Sequence, residues 1–228
     1  MVKAALFDAA GTLFQVHGSV GAAYATVAAR HGVIVPPHVI QQRFRAAFHQ
    51  MPPLAFPGKP PAELARREYD WWRQLVATVF SGERFADFEA FFGALFDYFA
   101  DAAAWTLFPD TQPALTALKT RGLRLGVVSN FDGRLISICK GLGLTEHFDV
   151  IVMSSRAGYA KPDPRIFRLA LASLDVDPAD ALHVGDSMQE DVAGATAAGL
   201  RAWLLNRDRA PSSEAQSVSD LHELVERV

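Results

Sequence analysis

Cysteine is almost missing from this chain: Cys139 is the single one in 228 residues. An internal disulfide framework is thereby excluded, and a reducing compartment is the natural setting. Cys139 lies among Leu135, Ile136, Ile138 and Leu142, an apolar helical pattern in which packing is the expected role of a thiol. An excess of positive charge is missing too. Lys and Arg number 22 against 25 Asp and Glu, and the basic residues are spread out, so no nucleic-acid partner is expected. No segment supplies the roughly 20 uninterrupted apolar residues of a membrane span. The apolar start is cut short at Asp8, too soon for the core of a signal peptide. A cytoplasmic protein is therefore expected. Internal repeats and low-complexity tracts are also lacking. What is present is half apolar and about a fifth charged, an ordinary globular composition, long enough for one domain or two.

The second half alternates between helical and strand patterns. Residues 111–121 have an apolar face of Ala114, Leu115, Ala117 and Leu118, ended by Gly122. Residues 123–128 are short, apolar and partly β-branched, as a buried strand requires. The pattern continues with a helix over 133–141, a strand over 149–153, a helix after Pro164 and a strand over 181–184. A small-residue helix over 191–198, a strand over 201–205 and a helix over 221–225 complete it. Residues 210–219 read as a polar surface loop. Such alternation predicts an α/β fold, a Rossmann-like parallel sheet with helices on both faces. The apolar residues 3–7 supply its first strand.

Residues 16–105 break the rhythm with four helical patterns, over 20–30, 37–48, 63–80 and 85–99, and no convincing strand. Most of the aromatic residues fall here, including Trp71, Trp72, Phe91, Phe92, Phe96 and Phe99, and a Pro-rich connection covers 51–61. This block reads as an inserted all-α cap domain. The α/β core is then made of residues 1–15 and 106–228.

Ligands of open α/β sheets bind beyond the carboxyl ends of the strands. Four segments there carry polar residues that an apolar strand does not need. They are Asp8-Ala9-Ala10-Gly11-Thr12, Ser129-Asn130, Lys161-Pro162-Asp163-Pro164, and the stretch from Gly185-Asp186 to Asp191. Singly each has a plain structural explanation: a polar turn at Asp8 and Thr12, a helix start at Ser129, a solvated Lys161, a helix cap at Asp186. In this order, at these places, they resemble the four motifs of the haloacid-dehalogenase-like hydrolases. The helical insertion is similar to the α-helical cap of one subfamily. The resemblance implies a Mg²⁺-dependent hydrolase, a phosphatase acting on a small phosphorylated metabolite.

The chemistry follows from the residue types. Asp8, at a strand tip, can attack phosphorus and form an aspartyl phosphate that water later hydrolyses. Carboxylates beside a phosphate repel it unless a cation intervenes, and Mg²⁺ suits one or two carboxylates plus phosphate oxygens. Asp8, Asp186 and the backbone carbonyl of Ala10 are the expected ligands, with Asp191 orienting a bound water. Ser129 and Asn130 would bind the transferring group, Lys161 would offset its charge, and Thr12 completes the first motif. Asp132 follows Ser129 closely and could line the mouth, whereas Arg134 reads first as a surface helix residue; Tyr159, two residues before Lys161, could close over the pocket only as a secondary reading.

One departure from the family pattern matters. Most of its phosphatases carry a second aspartate, the general acid and base, two residues after the nucleophile; here that position is Ala10. Its loss typically costs ~10²–10⁴ in rate. Three outcomes are open. The substrate has a good leaving group or another donor such as His17 serves. The reaction is carbon–phosphorus cleavage, as in phosphonoacetaldehyde hydrolases, with Lys59 forming a Schiff base. Or the chain is a weak relative that binds a ligand or protein partner. The acidic pattern at Asp186 and Asp191 argues against carbon–halogen cleavage. A cap admits small molecules. Trp71, Trp72, Arg66, Arg67 and Arg73 are chiefly expected to serve the cap's own structure, and an aromatic cap face leaves monomer and homodimer both open.

Overall fold

Every residue of the first strand, β1 (Ala4–Phe7), is buried, as a strand covered on both faces must be. The computed structural model describes residues 2–207 and 216–228. After β1 come the short β2 (Phe14–Val16) and four helices, α1 (Val20–Arg30), α2 (Pro37–Gln50), α3 (Pro61–Val79) and α4 (Phe88–Tyr98). The chain returns through β3 (Trp105–Leu107), α5 (Thr111–Thr120), β4 (Arg124–Ser129), α6 (Arg134–Gly141), β5 (Val150–Met153), α7 (Ser154–Ala157) and α8 (Pro164–Leu174). It ends with β6 (Ala181–Gly185), a π-helical turn Met188–Ala193, α9 (Gly194–Ala198), β7 (Arg201–Leu205), β8 (Ser217–Val218) and α10 (Leu221–Glu226).

The main sheet has the order β5-β4-β1-β6-β7-β8, with all neighbours parallel. Renumbered along the chain, this is the doubly wound order 3-2-1-4-5-6, which reverses between β1 and β6. The strand period of two divides the core between the faces. Ala5 and Phe7 of β1 pack with α5, α6 and α10, whereas Ala4 and Leu6 pack with α8 and α9. Cys139 is fully buried in the first of these clusters, and burial pushes its thiol up to about 12, so it stays protonated and inert. The expected Rossmann-like α/β core is therefore what the chain forms.

A separate hydrophobic cluster gathers Tyr24, Ile40, Leu75, Phe80, Phe91 and Phe92 from α1 to α4. Edge-to-face pairs such as Phe80–Phe91, with centroids 5.0 Å apart, account for the aromatic wealth of this segment. Among the described residues, no helix is long and apolar enough to cross a membrane.

Three features differ from the sequence expectation. β2 and β3 pair antiparallel, Phe14 with Leu107 and Val16 with Trp105, forming a stem where the insertion leaves and rejoins the core. Strands of three residues have no readable period, and their partners lie about ninety positions apart in the chain. Ser217–Val218, expected in a polar loop over 210–219, forms the edge strand β8 beside β7. Residues 210–215 of that loop lie outside the described residues. The expected helix over 191–198 begins earlier, as the π-helical turn, and becomes α-helical at Gly194.

The helical unit is fastened to the core at Glu68 of α3. Its buried carboxylate accepts from Ser155 Oγ at 2.6 Å and from the backbone N–H of Gly133 at 3.1 Å, with Arg156 3.7 Å away. Ser154 Oγ adds a bond to the carbonyl of Leu54 at 2.6 Å. Glu68→Ala strands the buried Ser155 hydroxyl and leaves the half-buried Gly133 N–H to water, so urea unfolding is expected to show a loss of about 1–3 kcal/mol. An unchanged midpoint would mean that the two units are held together elsewhere.

Candidate active site

β1 and β6 end side by side at the reversal of the sheet, which brings Asp8 and Asp186 to one place. The N–H of Asp8 continues the ladder to the carbonyl of Val184 at 2.9 Å, so its backbone is as fixed as the strand. Its side chain is buried. Oδ1 accepts from Lys161 Nζ at 2.6 Å and from Ser129 Oγ, at the end of β4, at 3.1 Å. Lys161 is also buried and reaches Asp191 Oδ1 at 2.5 Å. Its backbone is held by Asn130, which accepts from the Lys161 N–H at 2.8 Å and donates to the Lys161 carbonyl at 3.0 Å.

Asp191 has little bonding capacity left. Oδ1 meets Lys161 and His183 Nε2 at 2.8 Å, and Oδ2 accepts from the Ser187 N–H at 3.0 Å. Asp186 instead opens onto the cavity in front of the strands. Two glycines make this packing possible. Gly11 has φ +95, and a Cβ there would collide with the Asp186 carboxylate; a Cβ at Gly185 would collide with that of Asp191.

Charge is unevenly supplied. Carboxylate oxygens of Asp8, Asp186 and Asp191 lie within 4.8 Å of one another, and one ammonium, Lys161, stands among them. Burial pushes the carboxyl of Asp8 up, and Lys161 only partly pulls it back. Burial, with Asp8 and Asp191 nearby, raises Asp186 to about 6. Asp191 goes the other way: burial is outweighed by the bonds from His183 and Lys161, and it stays ionised. Burial likewise opposes the charge on Lys161, but its two carboxylates win and raise it above its ordinary value. Three carboxylates against one ammonium leave a deficit of two positive charges. A divalent cation fits that deficit and the oxygen-only donor set.

The cavity in front of these groups measures about 480 Å³. Asp8, Ala10, Ser129, Asn130, Lys161 and Asp186 form its floor together with Glu190 and Asp191, and residues of α1 to α4 line much of the rest, with Phe131 and Arg134 from the core. The other residues singled out in the sequence fall elsewhere. Thr12 is buried behind the loop, outside the cavity lining, and its carbonyl accepts from Arg207 at 2.8 Å. His17 pairs with Thr106 Oγ1 at 3.0 Å and does not line the cavity. Tyr159 lies under Arg165 and is also outside. Lys59 is exposed on its loop, away from the lining. Arg66, Arg67 and Arg73 pair on the surface with Asp70, Glu63 and Glu89.

Trp71 and Trp72 both line the cavity, which the packing role expected for them did not include. Trp71 is the inward one, its Nε1 donating to the carbonyl of Pro52 at 2.9 Å; Trp72 Nε1 donates to Asp132 Oδ2 at 2.5 Å. Two contributors escaped the sequence reading altogether. His183 lies inside a strand, where the only signal was a polar residue in an apolar run. Glu190 reaches Asn130 Nδ2 at 3.0 Å from within the last motif.

Residues 2–199 match the profile of the haloacid dehalogenase-like hydrolases. The haloacid dehalogenase-like hydrolase domain-containing protein 3 of Bos taurus is 37% identical over 202 residues, covering 87% of this chain and 80% of the relative. A phosphoserine phosphatase of Thermus thermophilus is 36% identical over 132 residues, 56% of this chain and 53% of that protein. A solved structure of a HAD phosphatase from Thermococcus onnurineus aligns with a TM-score of 0.68 at 26% identity, over 99% of this chain and 97% of that one. A profile match that takes in all four strand-end segments, with a relative 37% identical over most of both chains, makes this chain a haloacid dehalogenase-like hydrolase.

Proposed function

We propose that this hydrolase is a Mg²⁺-dependent phosphatase that cleaves a small phosphate monoester through an aspartyl phosphate at Asp8. The supporting observation is the short bond from Lys161 Nζ to Asp8 Oδ1 at the reversal point of the sheet, at the floor of the cavity. The phosphatases among its relatives point the same way.

In this reading Asp8 attacks phosphorus from its fixed place at the end of β1. Ser129 keeps the carboxylate aimed and presents its hydroxyl to the phosphoryl oxygens. Lys161 has a charge already set in place, so stabilising the transition state costs no reorganisation. Asn130 holds the lysine's backbone. Asp8, Asp186 and the carbonyl of Ala10 would hold the cation, which supplies electrostatic neutralisation of the phosphoryl oxygens. Asp191, with its oxygens already bonded, orients Lys161 and the surrounding shell. The helical unit, residues 16–105, acts as the cap that excludes bulk water and limits substrates to small molecules.

Asp8→Asn is expected to cut turnover of an aryl phosphate at least roughly 10³-fold, as removal of a nucleophile does. Equal turnover by variant and parent would rule out Asp8 as the attacking group.

Metal dependence carries a pH signature. The raised value of Asp186, about 6, means that the fold favours its protonated form, so this stability is present at low pH and lost as pH rises through about 6. A cation competes with that proton. Added Mg²⁺ is therefore expected to raise Tm more at about pH 7.5 than at about pH 5, by mass action on the native state. Asp186→Asn should remove most of the shift. An equal shift at both pH values would place the ion away from Asp186.

A further inference from the structure

Away from its floor, the cavity is apolar and largely aromatic, with Tyr24, Phe44, Phe48, Trp72, Phe96 and Phe99 among its walls. Phe48 lies 6.3 Å from Trp72 and stacks on Phe44 at 5.5 Å, so the walls present ring faces and edges. Arg134 is the one arginine among the described lining residues, and it is already committed. Asp132 binds its guanidinium at 2.9 and 2.7 Å, the carbonyl of Phe96 at 3.3 Å, and the rings of Trp72 and Phe96 cover it at 4.9 and 4.0 Å. Its charge is spent on joining cap to core. Beyond Lys161, the remaining basic side chain of the lining is His49, at the exposed end of α2. A second anionic group or a row of sugar hydroxyls would lose its water and find few partners, at a cost of about 1–3 kcal/mol for each unmet polar group.

Ala10 adds an independent constraint. It lines the floor and has no proton to give, so the side chain at this position does not protonate the leaving oxygen, and a group that can depart with its electron pair unprotonated is favoured. A phenolic oxygen, whose conjugate acid has a pKa of about 10, tolerates this. An alkoxide, close to water at about 15.7, does not.

We infer that the substrate is the phosphate monoester of an uncharged aromatic hydroxyl compound, its ring seated against the Phe48 and Trp72 wall. This rests on the phosphatase reading and narrows it. Asp8 forms a bond to phosphorus as the P–O bond to the ring breaks, and the aryloxide leaves with the electron pair. Water then attacks phosphorus and the Asp8–phosphate bond breaks, restoring the carboxylate. One proton of that water reaches the aryloxide through solvent, and the other stays on inorganic phosphate.

The test compares 1-naphthyl phosphate, phenyl phosphate, acetyl phosphate and glucose 6-phosphate with the Mg²⁺-loaded protein. Acetyl phosphate has a weakly basic leaving group and no ring, which separates the two requirements. The expected order of kcat/KM is naphthyl, phenyl, acetyl and then glucose 6-phosphate, the extremes differing by at least roughly 10²-fold. Phe48 is 44% exposed, so Phe48→Ala should fold, and it is expected to lower the naphthyl-to-acetyl ratio about tenfold. Ala10→Asp should raise glucose 6-phosphate turnover more than naphthyl phosphate turnover. Calorimetry on Asp8→Asn with Mg²⁺ reads recognition without chemistry, with naphthyl phosphate expected to bind at least tenfold tighter than glucose 6-phosphate. Asp8-dependent turnover that favours the sugar phosphate overturns this inference and leaves the phosphatase reading intact. No Asp8-dependent turnover on any ester overturns the phosphatase reading. Equal binding of the two esters then overturns the aromatic preference as well.

Discussion

The ammonium of Lys161, buried between Asp8 and Asp191, is the interaction on which the rest of the site depends. A lone charge at that depth would cost several kcal/mol, and so would either carboxylate without it. Much of the surrounding structure answers that cost. Asn130 fixes the lysine's backbone, His183 and the Ser187 N–H satisfy Asp191, and Ser129 takes part of the load on Asp8. One ammonium still falls short of three carboxylates. Burial above all, and the crowding of the carboxylates after it, holds Asp8 and Asp186 above the ordinary carboxylate range.

The sheet makes this cluster possible. Ser129 closes β4, Asp8 and Asp186 follow the carboxyl ends of β1 and β6, and the register puts Phe7 opposite both Val127 and Val184. The same register that buries Phe7 therefore carries the polar residues beyond it to a common height. Gly11 and Gly185 remove the side chains that would push the acidic groups apart. Above the floor, the helical unit of α1 to α4 contributes mainly apolar walls. It is pinned from α3, by Glu68 to Ser155 and by Trp72 to Asp132, and Trp72 is also a wall of the cavity.

Much of this was legible in the sequence because it rests on local patterns. Apolar runs ending in Asp8, Ser129 and Gly185 announce strands with polar tips, and the helical period through residues 20–99 announces the insertion. The β2–β3 stem was not legible, since three-residue strands have no period and their pairing spans the whole cap. Strand β8 was hidden for a similar reason: Ser217 and Val218 are two residues at the end of a polar stretch, and only the neighbouring β7 makes them a strand. His183 needed three dimensions, because nothing in a four-residue apolar run says that its one imidazole faces Asp191. Thr12, a motif position, takes a buried place behind the loop, a placement that only the fold reveals.

The central claim is that Asp8 becomes covalently phosphorylated beside Lys161. Acid quenching during turnover of an aryl phosphate with Mg²⁺, followed by peptide mass spectrometry, reads this directly. A phosphoryl adduct on Asp8, absent when Mg²⁺ is withheld, is the expected result. Full turnover with no adduct on Asp8, or with the adduct on another side chain, would contradict it.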